Sequence, residues 1–245
     1  MLSGSSTAFS EEQVSSIYPD GIQRIFWHQA RNRLIIHYLR KWKAEPLLEI
    51  GAGRGIVLQA LLQEGWVARG IELGQATPLI ETLPILYGMN VFDMEVEEAA
   101  KYRAIALFDV IEHIPDRVNF LKEIRSKFPN MRYLYLTVPA SPELWCNYDE
   151  FCKHYLRYTP SLFQQELKAA GYRIIFQRYF FHLLYWIIWL TLRVRRRRSE
   201  YFLPPKGPLS WVHKLIGWYF FWEGRLLPAS WRGASIIAVA EPLSS

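Results

Sequence analysis

The sequence predicts an α/β protein built on a doubly wound, mostly parallel sheet. Three observations carry that expectation. Short apolar runs alternate along the chain with stretches of helical period, the pattern of strands joined by crossover helices. The first run, Leu47–Ile50, empties into a turn with glycine at positions 51, 53 and 55. The last, Ala234–Pro242 (ASIIAVAEP), returns the chain to a strand after a long aromatic and basic segment.

The elements follow in order. Ser10 followed by Glu11, Glu12 and Gln13 resembles a capping box that opens a short helix. After the turn Pro19-Asp20-Gly21, apolar residues at 22, 25, 26, 34, 35, 38 and 39 give a helix over Ile22–Trp42, stopped by Pro46. The strand at Leu47 and its glycine turn lead into a helix over Ile56–Gln63, closed by Gly65. Next come a strand at Val67–Leu73, a helix near Thr77–Leu83, and strands at Asn90–Met94 and Ala104–Val110. A helix over Arg117–Phe128 precedes a strand at Tyr133–Val138. A helix over Pro160–Ala170, closed by Gly171, precedes a strand at Arg173–Tyr179. With the last strand the sheet has seven. The chain thereby divides into an N-terminal helical segment (1–45), a core (46–180 with 232–245) and a helical insertion (181–231).

Length and charge narrow the class. A chain of 245 residues can bury a substantial core, and 21% charged residues is near the globular average. Charge is unevenly spread. Residues 171–245 carry 11 Lys/Arg against 3 Asp/Glu and hold six of the ten Trp, whereas residues 1–100 carry 8 against 12. A basic, aromatic C-terminal third points to a polyanionic surface. No nucleic-acid-binding motif accompanies it, which leaves a membrane rather than nucleic acid as the expected partner. The N-terminal residues lack the basic and apolar regions of a signal peptide, so the expected location is cytoplasmic. Two cysteines, Cys146 and Cys152, make no disulfide framework. With His154 they supply no second ligand pair, and no metal is expected.

The glycine turn carries the chemistry. A strand that delivers Gly51, Gly53 and Gly55 to a helix N-terminus lets backbone N–H groups approach a ligand closely. Glu72, at the end of the next strand, is placed to accept hydrogen bonds from ribose hydroxyls.

LLEIGAGRG (Leu47–Gly55) and IEL (Ile71–Leu73) resemble the first two motifs of the class I S-adenosylmethionine (SAM) methyltransferases. VFD, ending in Asp93, sits where that family meets the adenine amino group. ALFDVIEHIPD (Ala106–Asp116) is similar to the D-V-x-E-H-I/V-x-D signature of the methyltransferase 11/23-like subgroup. Leu134–Thr159 resembles that subgroup's segment after strand five, with Lys153 and Leu156 in place of its glycine and first arginine. FWHQARNRLI (Phe26–Ile35) looks like the aromatic-then-Arg helix that many members place ahead of the first motif. Five motifs in order cover roughly residues 20–180 plus the last strand.

The resemblance implies a Rossmann-like fold with an antiparallel last strand and SAM as cofactor. It places Glu49, Gly51, Ala52, Gly53, Gly55, Glu72, Leu73, Asp93, Met94, Asp109 and Val110 along that cofactor. His113 and His154 become candidate general bases, and Tyr148, Arg157 and Tyr158 candidate contacts of the methyl acceptor. Glu112 and His113 alone do not complete a metal site.

The insertion opens with FFHLLYWIIWLTLRVRRRR. Its uncharged run, Phe180–Leu192, spans about 20 Å as a helix against the roughly 30 Å of hydrocarbon core. Flanked by two strands of one sheet, it crosses a membrane an even number of times or not at all. The expected arrangement is a shallow hairpin at the inner face of a membrane. Phe180, Trp186, Trp189 and Trp218 would enter the interface, and Arg195, Arg196, Arg197 and Arg198 would meet anionic headgroups. The expected enzyme is thus a peripheral methyltransferase acting on a lipid or lipid-linked acceptor. A soluble small-molecule methyltransferase with the insertion as lid or dimer contact, and an inactive SAM-binding subunit, remain as alternatives.

Overall fold

A computed structural model of the chain describes residues 18–199 and 203–243. The helix expected to start at Ser10 lies outside them. Seven strands form one sheet in the order β3-β2-β1-β4-β5-β7-β6. They are β1 Leu47–Ile50, β2 Ala68–Glu72, β3 Ile85–Tyr87, β4 Ala104–Phe108, β5 Tyr133–Pro139, β6 Tyr172–Phe180 and β7 Ser235–Pro242. β1 to β5 pair in parallel, and β7 inserts antiparallel between β5 and β6. The helices are α1 Phe26–Leu39, α2 Ile56–Gln63, α3 Arg117–Lys127, α4 Pro160–Ala169, α5 His182–Arg195 and α6 Leu209–Leu226, with short helical pieces at Val96–Ala99 and Asn147–Phe151.

The central strands are buried on both faces, as a covered parallel sheet requires. Alternate residues of each strand join two core clusters. Leu48, Ile105 and Leu134 go to one, and Leu47, Ala104 and Tyr135 to the other. The long N-terminal helix breaks at Ile25, whose backbone is extended; a 3-10 turn precedes it and α1 follows.

Two elements differ from the sequence expectation. Thr77–Leu83 forms turns, not a helix, because Pro78 and Pro84 bracket it and its polar groups are used elsewhere. Leu79 N–H donates to the Arg54 carbonyl, and the Arg54 guanidinium donates to the Thr77 carbonyl. The third strand is Ile85–Tyr87, paired to Gly70–Glu72. The segment expected as that strand, Asn90–Met94, is a 3-10 turn at Val91–Asp93 whose cap, the Asn90 side chain, accepts from Phe92 N–H.

The insertion packs onto the sheet face that α1 covers. α6 lies along α1 by close approach at two glycines two turns apart. A Cβ at Gly224 would stand 2.9 Å from Leu34, and one at Gly217 would stand 3.3 Å from the Phe26 carbonyl. Phe26 stacks on Phe220, and Phe181 lies between Trp27 and Phe220. Glu223 of α6 accepts from the amides of His182 and Leu183, which caps the N-terminus of α5. Phe180 is a core residue, 1% exposed and paired with Ser235 at the end of β6, so it does not take the surface role expected of it. Among the described residues no helix is long and apolar enough to cross a membrane.

Candidate active site

The carboxyl ends of β1, β2 and β4 open into one cleft with two lobes, the place where an open α/β sheet binds ligands. The lobes share Tyr18, Gly51, Gly53, Phe108, Asp109 and His113.

The glycine turn forms the wall between them. Gly51, Gly53 and Gly55 all have positive φ, and the amides of Gly51 and Ala52 both donate to the Ile71 carbonyl. Gly51 is doubly constrained, since a Cβ there would meet Val110 at 2.7 Å; at Gly53 a Cβ would meet nothing. Gly53→Ala is therefore expected to destabilise by about 1 kcal/mol through backbone strain alone. Gly51→Ala, with strain and overpacking together, is expected to cost about 2–3 kcal/mol. Urea unfolding of the two variants checks the order.

In the first lobe the Glu72 carboxylate accepts from Gly53 N–H at 2.8 Å and Gly74 N–H at 2.9 Å. Tyr87 of β3 donates to the Gly53 carbonyl at 3.0 Å. Leu73, Asn90, Val91 and Val110 line the same space. Asp93 and Met94 do not line it. Asp93 is exposed on the 3-10 turn and Met94 is buried in the core, so neither stands at the lobe where the adenine contact was expected; Asn90 and Val91 line it instead. Gly55 stands behind the turn, packed against Leu83 and Ile85.

Asp109 joins the lobes. It ends β4 with φ +57, an uncommon conformation that a short polar side chain tolerates. Arg31, buried on α1, holds it at 2.6 Å, and the Thr137 hydroxyl donates to its other oxygen at 3.0 Å. Arg31 also donates to the Thr137 hydroxyl oxygen and lies over the rings of Trp27 and Phe108. Sequence reading placed the helix of Arg31 beside the first motif without giving the residue a role. Its partner is far along the chain.

The second lobe is lined by Trp27, Glu49, Ala52, Glu112, His154, Arg157 and, from the insertion, Leu184, Ile188 and Arg198. Burial raises Glu49 to about 8, opposed by Arg31 and reinforced by Glu72. Burial, reinforced by the neighbouring His154, lowers His113 to about 3, so its ring is neutral at physiological pH. The two imidazoles lie 4.8 Å apart, centre to centre. His154 Nδ1 is 2.9 Å from Asp149 Oδ1, which also accepts from Arg157 Nε at 2.8 Å. The turn that orients His154 is left-handed at Lys153 (φ +55), the position where the resemblance expects glycine.

Of the expected acceptor contacts, Tyr148 and Arg157 line the second lobe, Arg157 with its guanidinium committed to Asp149 and the Ala140 carbonyl. Tyr158 does not. It is fully buried and donates to Glu166, a carboxylate that Arg117 also holds. Arg198 differs from its three neighbours as well. Arg195, Arg196 and Arg197 are exposed, whereas Arg198 is half-buried over the Tyr148 ring at 4.7 Å, its backbone paired with the Asn147 amide in both directions.

The cradle suits SAM. Glycines with positive φ bring backbone to the ligand, an acid ends β2, and a buried acid at Glu49 faces the cleft where a cation can meet it.

Residues 11–177, more than half of the chain, match the family described as "Methyltransferase domain". No protein of curated function matches the chain in sequence. Among solved structures, the fold is similar to the CcbJ methyltransferase from Streptomyces caelestis (TM-score 0.54, 13% identity, covering 98% of this chain and 100% of that one). It is also similar to 1,6-didemethyltoxoflavin-N1-methyltransferase from Burkholderia thailandensis, solved with bound 1,6-didemethyltoxoflavin and S-adenosylhomocysteine (TM-score 0.51, 13% identity, covering 88% of this chain and 79% of that one). With the sheet order, the glycine cradle and the family match in agreement, the chain belongs to the methyltransferase-domain family and is a class I SAM-dependent methyltransferase.

Proposed function

We propose that this methyltransferase works at the cytoplasmic face of an anionic membrane, on a lipid or lipid-linked acceptor that enters the second lobe. One observation carries the reading. The inner side of α5 lines the second lobe through Leu184 and Ile188, while its outer side exposes Trp186, Ile187, Leu190 and Val194. The same helix ends in the exposed residues Arg195, Arg196 and Arg197. An apolar face with a cationic end fits a bilayer interface, and an interface met by that face would adjoin the second lobe. α6 adds exposed Trp211, Leu215, Trp218 and Trp222. Trp189 is half-buried, so it serves the interface less than Trp186 does. Flotation of the full-length protein with vesicles containing anionic phospholipid tests this reading. Comigration supports it; protein that stays entirely in the bottom fraction overturns it.

When bound, SAM supplies a methyl group carried on a sulfonium sulfur. The residues that would hold it are Glu49, Gly51, Ala52, Gly53, Glu72, Leu73, Asp109 and Val110. Glu72 offers carboxylate lone pairs beyond the two that its amide donors use. Trp27, Phe108 and Ile188 give the second lobe an apolar lining, which would exclude water from the methyl group.

Glu49 gives a pH signature. Its carboxyl keeps its proton up to about pH 8 in the free protein, and a cationic ligand beside it favours the ionised form. SAM affinity is therefore expected to rise with pH, by up to about tenfold per unit between pH 6 and 8, and to level off above. Calorimetry in buffers of different ionisation enthalpy should record proton release at pH 7, and Glu49→Gln should remove both the release and the slope.

A further inference from the structure

Glu112 is the one acid lining the cleft that neither the SAM cradle nor the Arg31–Asp109 pair uses. It is 0% exposed, and among the described residues neither carboxylate oxygen has a hydrogen-bond partner. Glu49 leaves one oxygen without a partner, but only Glu112 among the described residues leaves both. Asp149 is satisfied by Cys146 N–H, His154 and Arg157, Glu166 by Arg117 and Tyr158, and Glu223 by two helix amides. A buried unpartnered carboxylate needs a reason, such as a bound cation.

Two imidazoles supply the rest of a site. Ligand atoms of Glu112, His113 and His154 lie within 4.8 Å of one another. Small side-chain rotations bring such a set to the roughly 3–4 Å donor spacing that bonds of about 2.0–2.2 Å require. The outer partners are also present. With His154 Nδ1–H donating to Asp149, itself fixed by Arg157, the Nε2 lone pair is left for an ion. The ring of His113 hydrogen-bonds the backbone of Cys152 and Lys153, which orients it.

We propose that Glu112, His113 and His154 form a divalent transition-metal site in the second lobe. Two imidazoles and one carboxylate suit Zn²⁺, Mn²⁺, Fe²⁺ or Co²⁺ better than Ca²⁺ or Mg²⁺. Three protein ligands leave coordination positions open toward the lobe. An ion there holds an acceptor by an oxygen and makes a bound hydroxyl more acidic, so the acceptor class is an alcohol or other hydroxyl compound. That acceptor assignment rests on the methyltransferase reading; the ion site does not. The sequence expectation of no metal is revised because His154, distant in the chain, completes the pair at Glu112 and His113.

The test uses full-length protein freed of metal by chelation and titrated with Co²⁺, followed by visible absorption, with SAM binding measured by calorimetry on the same samples. The expected result is one Co²⁺ per chain. Affinity should fall by more than about 100-fold in Glu112→Gln and in His154→Ala, and by about 10–100-fold in Asp149→Asn. Retained SAM binding in Glu112→Gln and His154→Ala shows the fold intact. No Co²⁺ bound by the unaltered protein, or unchanged affinity in a variant that binds SAM, overturns the site. Protein that binds Co²⁺ but not SAM supports the site and overturns the methyltransferase reading instead.

Discussion

Asp109→Ala is expected to lower the unfolding free energy by about 3 kcal/mol, the lower end of the range for breaking a buried ion pair. The lower end applies because the Asp109 side chain is a quarter exposed, whereas that of Arg31 is only 6% exposed. The substitution leaves the Arg31 guanidinium charged and buried between Trp27 and Phe108, with the Thr137 hydroxyl oxygen as its remaining hydrogen-bond partner among the described residues. Arg31→Met removes the charge that needs a partner. Asp109 then keeps the Thr137 hydroxyl and its contact with water, so the expected cost is only about 1 kcal/mol. The double variant should be more stable than Asp109→Ala alone, because it relieves the orphaned cation. Equilibrium urea unfolding of the three variants measures the pattern. Equal costs for the two single changes would show that the pair does not hold the end of β4.

The second large effect lies at the surface. Replacing Arg195, Arg196 and Arg197 together by Ala is expected to weaken binding to anionic vesicles by about 3 kcal/mol, or about 150-fold at low salt, at about 1 kcal/mol per residue. The loss should shrink as salt rises, since the three side chains are exposed and screened. Trp186→Ala acts by a different route. Its ring is 56% exposed on the outer side of α5, and its loss removes apolar area from the interface. About tenfold weaker binding, nearly independent of salt, is expected. Arg198→Ala should change vesicle affinity less than any of the other three, because its side chain turns inward over Tyr148. Cosedimentation across a salt series separates the terms, and equal sensitivity of all four arginines would contradict the placement of Arg198.

The features legible in the sequence were those whose cause is local. β1 and its turn combine a buried apolar run with three glycines in left-handed backbone, and both signals sit within nine residues, Leu47–Gly55. The helix over Pro160–Ala169 has a Thr159 cap, proline in its first turn and a left-handed glycine just beyond its end. β3 was not legible. It is a three-residue edge strand with Leu86 exposed, so burial imposes no pattern on it, and its register comes from Gly70–Glu72. Misplacing that strand also misplaced the acid at Asp93.

The site divides the same way. Glu49, Gly51, Glu72 and Asp109 follow from strand ends, which the sequence locates. Arg31, the orphaned Glu112 and the approach of His154 to His113 depend on how distant segments meet. Tyr158 failed as an acceptor contact because it and its neighbour Arg157 point to opposite environments, Arg157 to the cleft and Tyr158 to the core. The insertion was legible as amphipathic. That α6 would dock on α1 through Gly217 and Gly224 was not.

Methyl transfer to a membrane-borne acceptor has a direct signature in where the label goes. The most direct measurement incubates full-length protein with methyl-labelled SAM, total lipid vesicles and the aqueous metabolites of the source cell, then separates organic and aqueous phases. Label is expected in the lipid phase, absent when Glu72 is replaced by Ala. Label confined to a water-soluble product would contradict it.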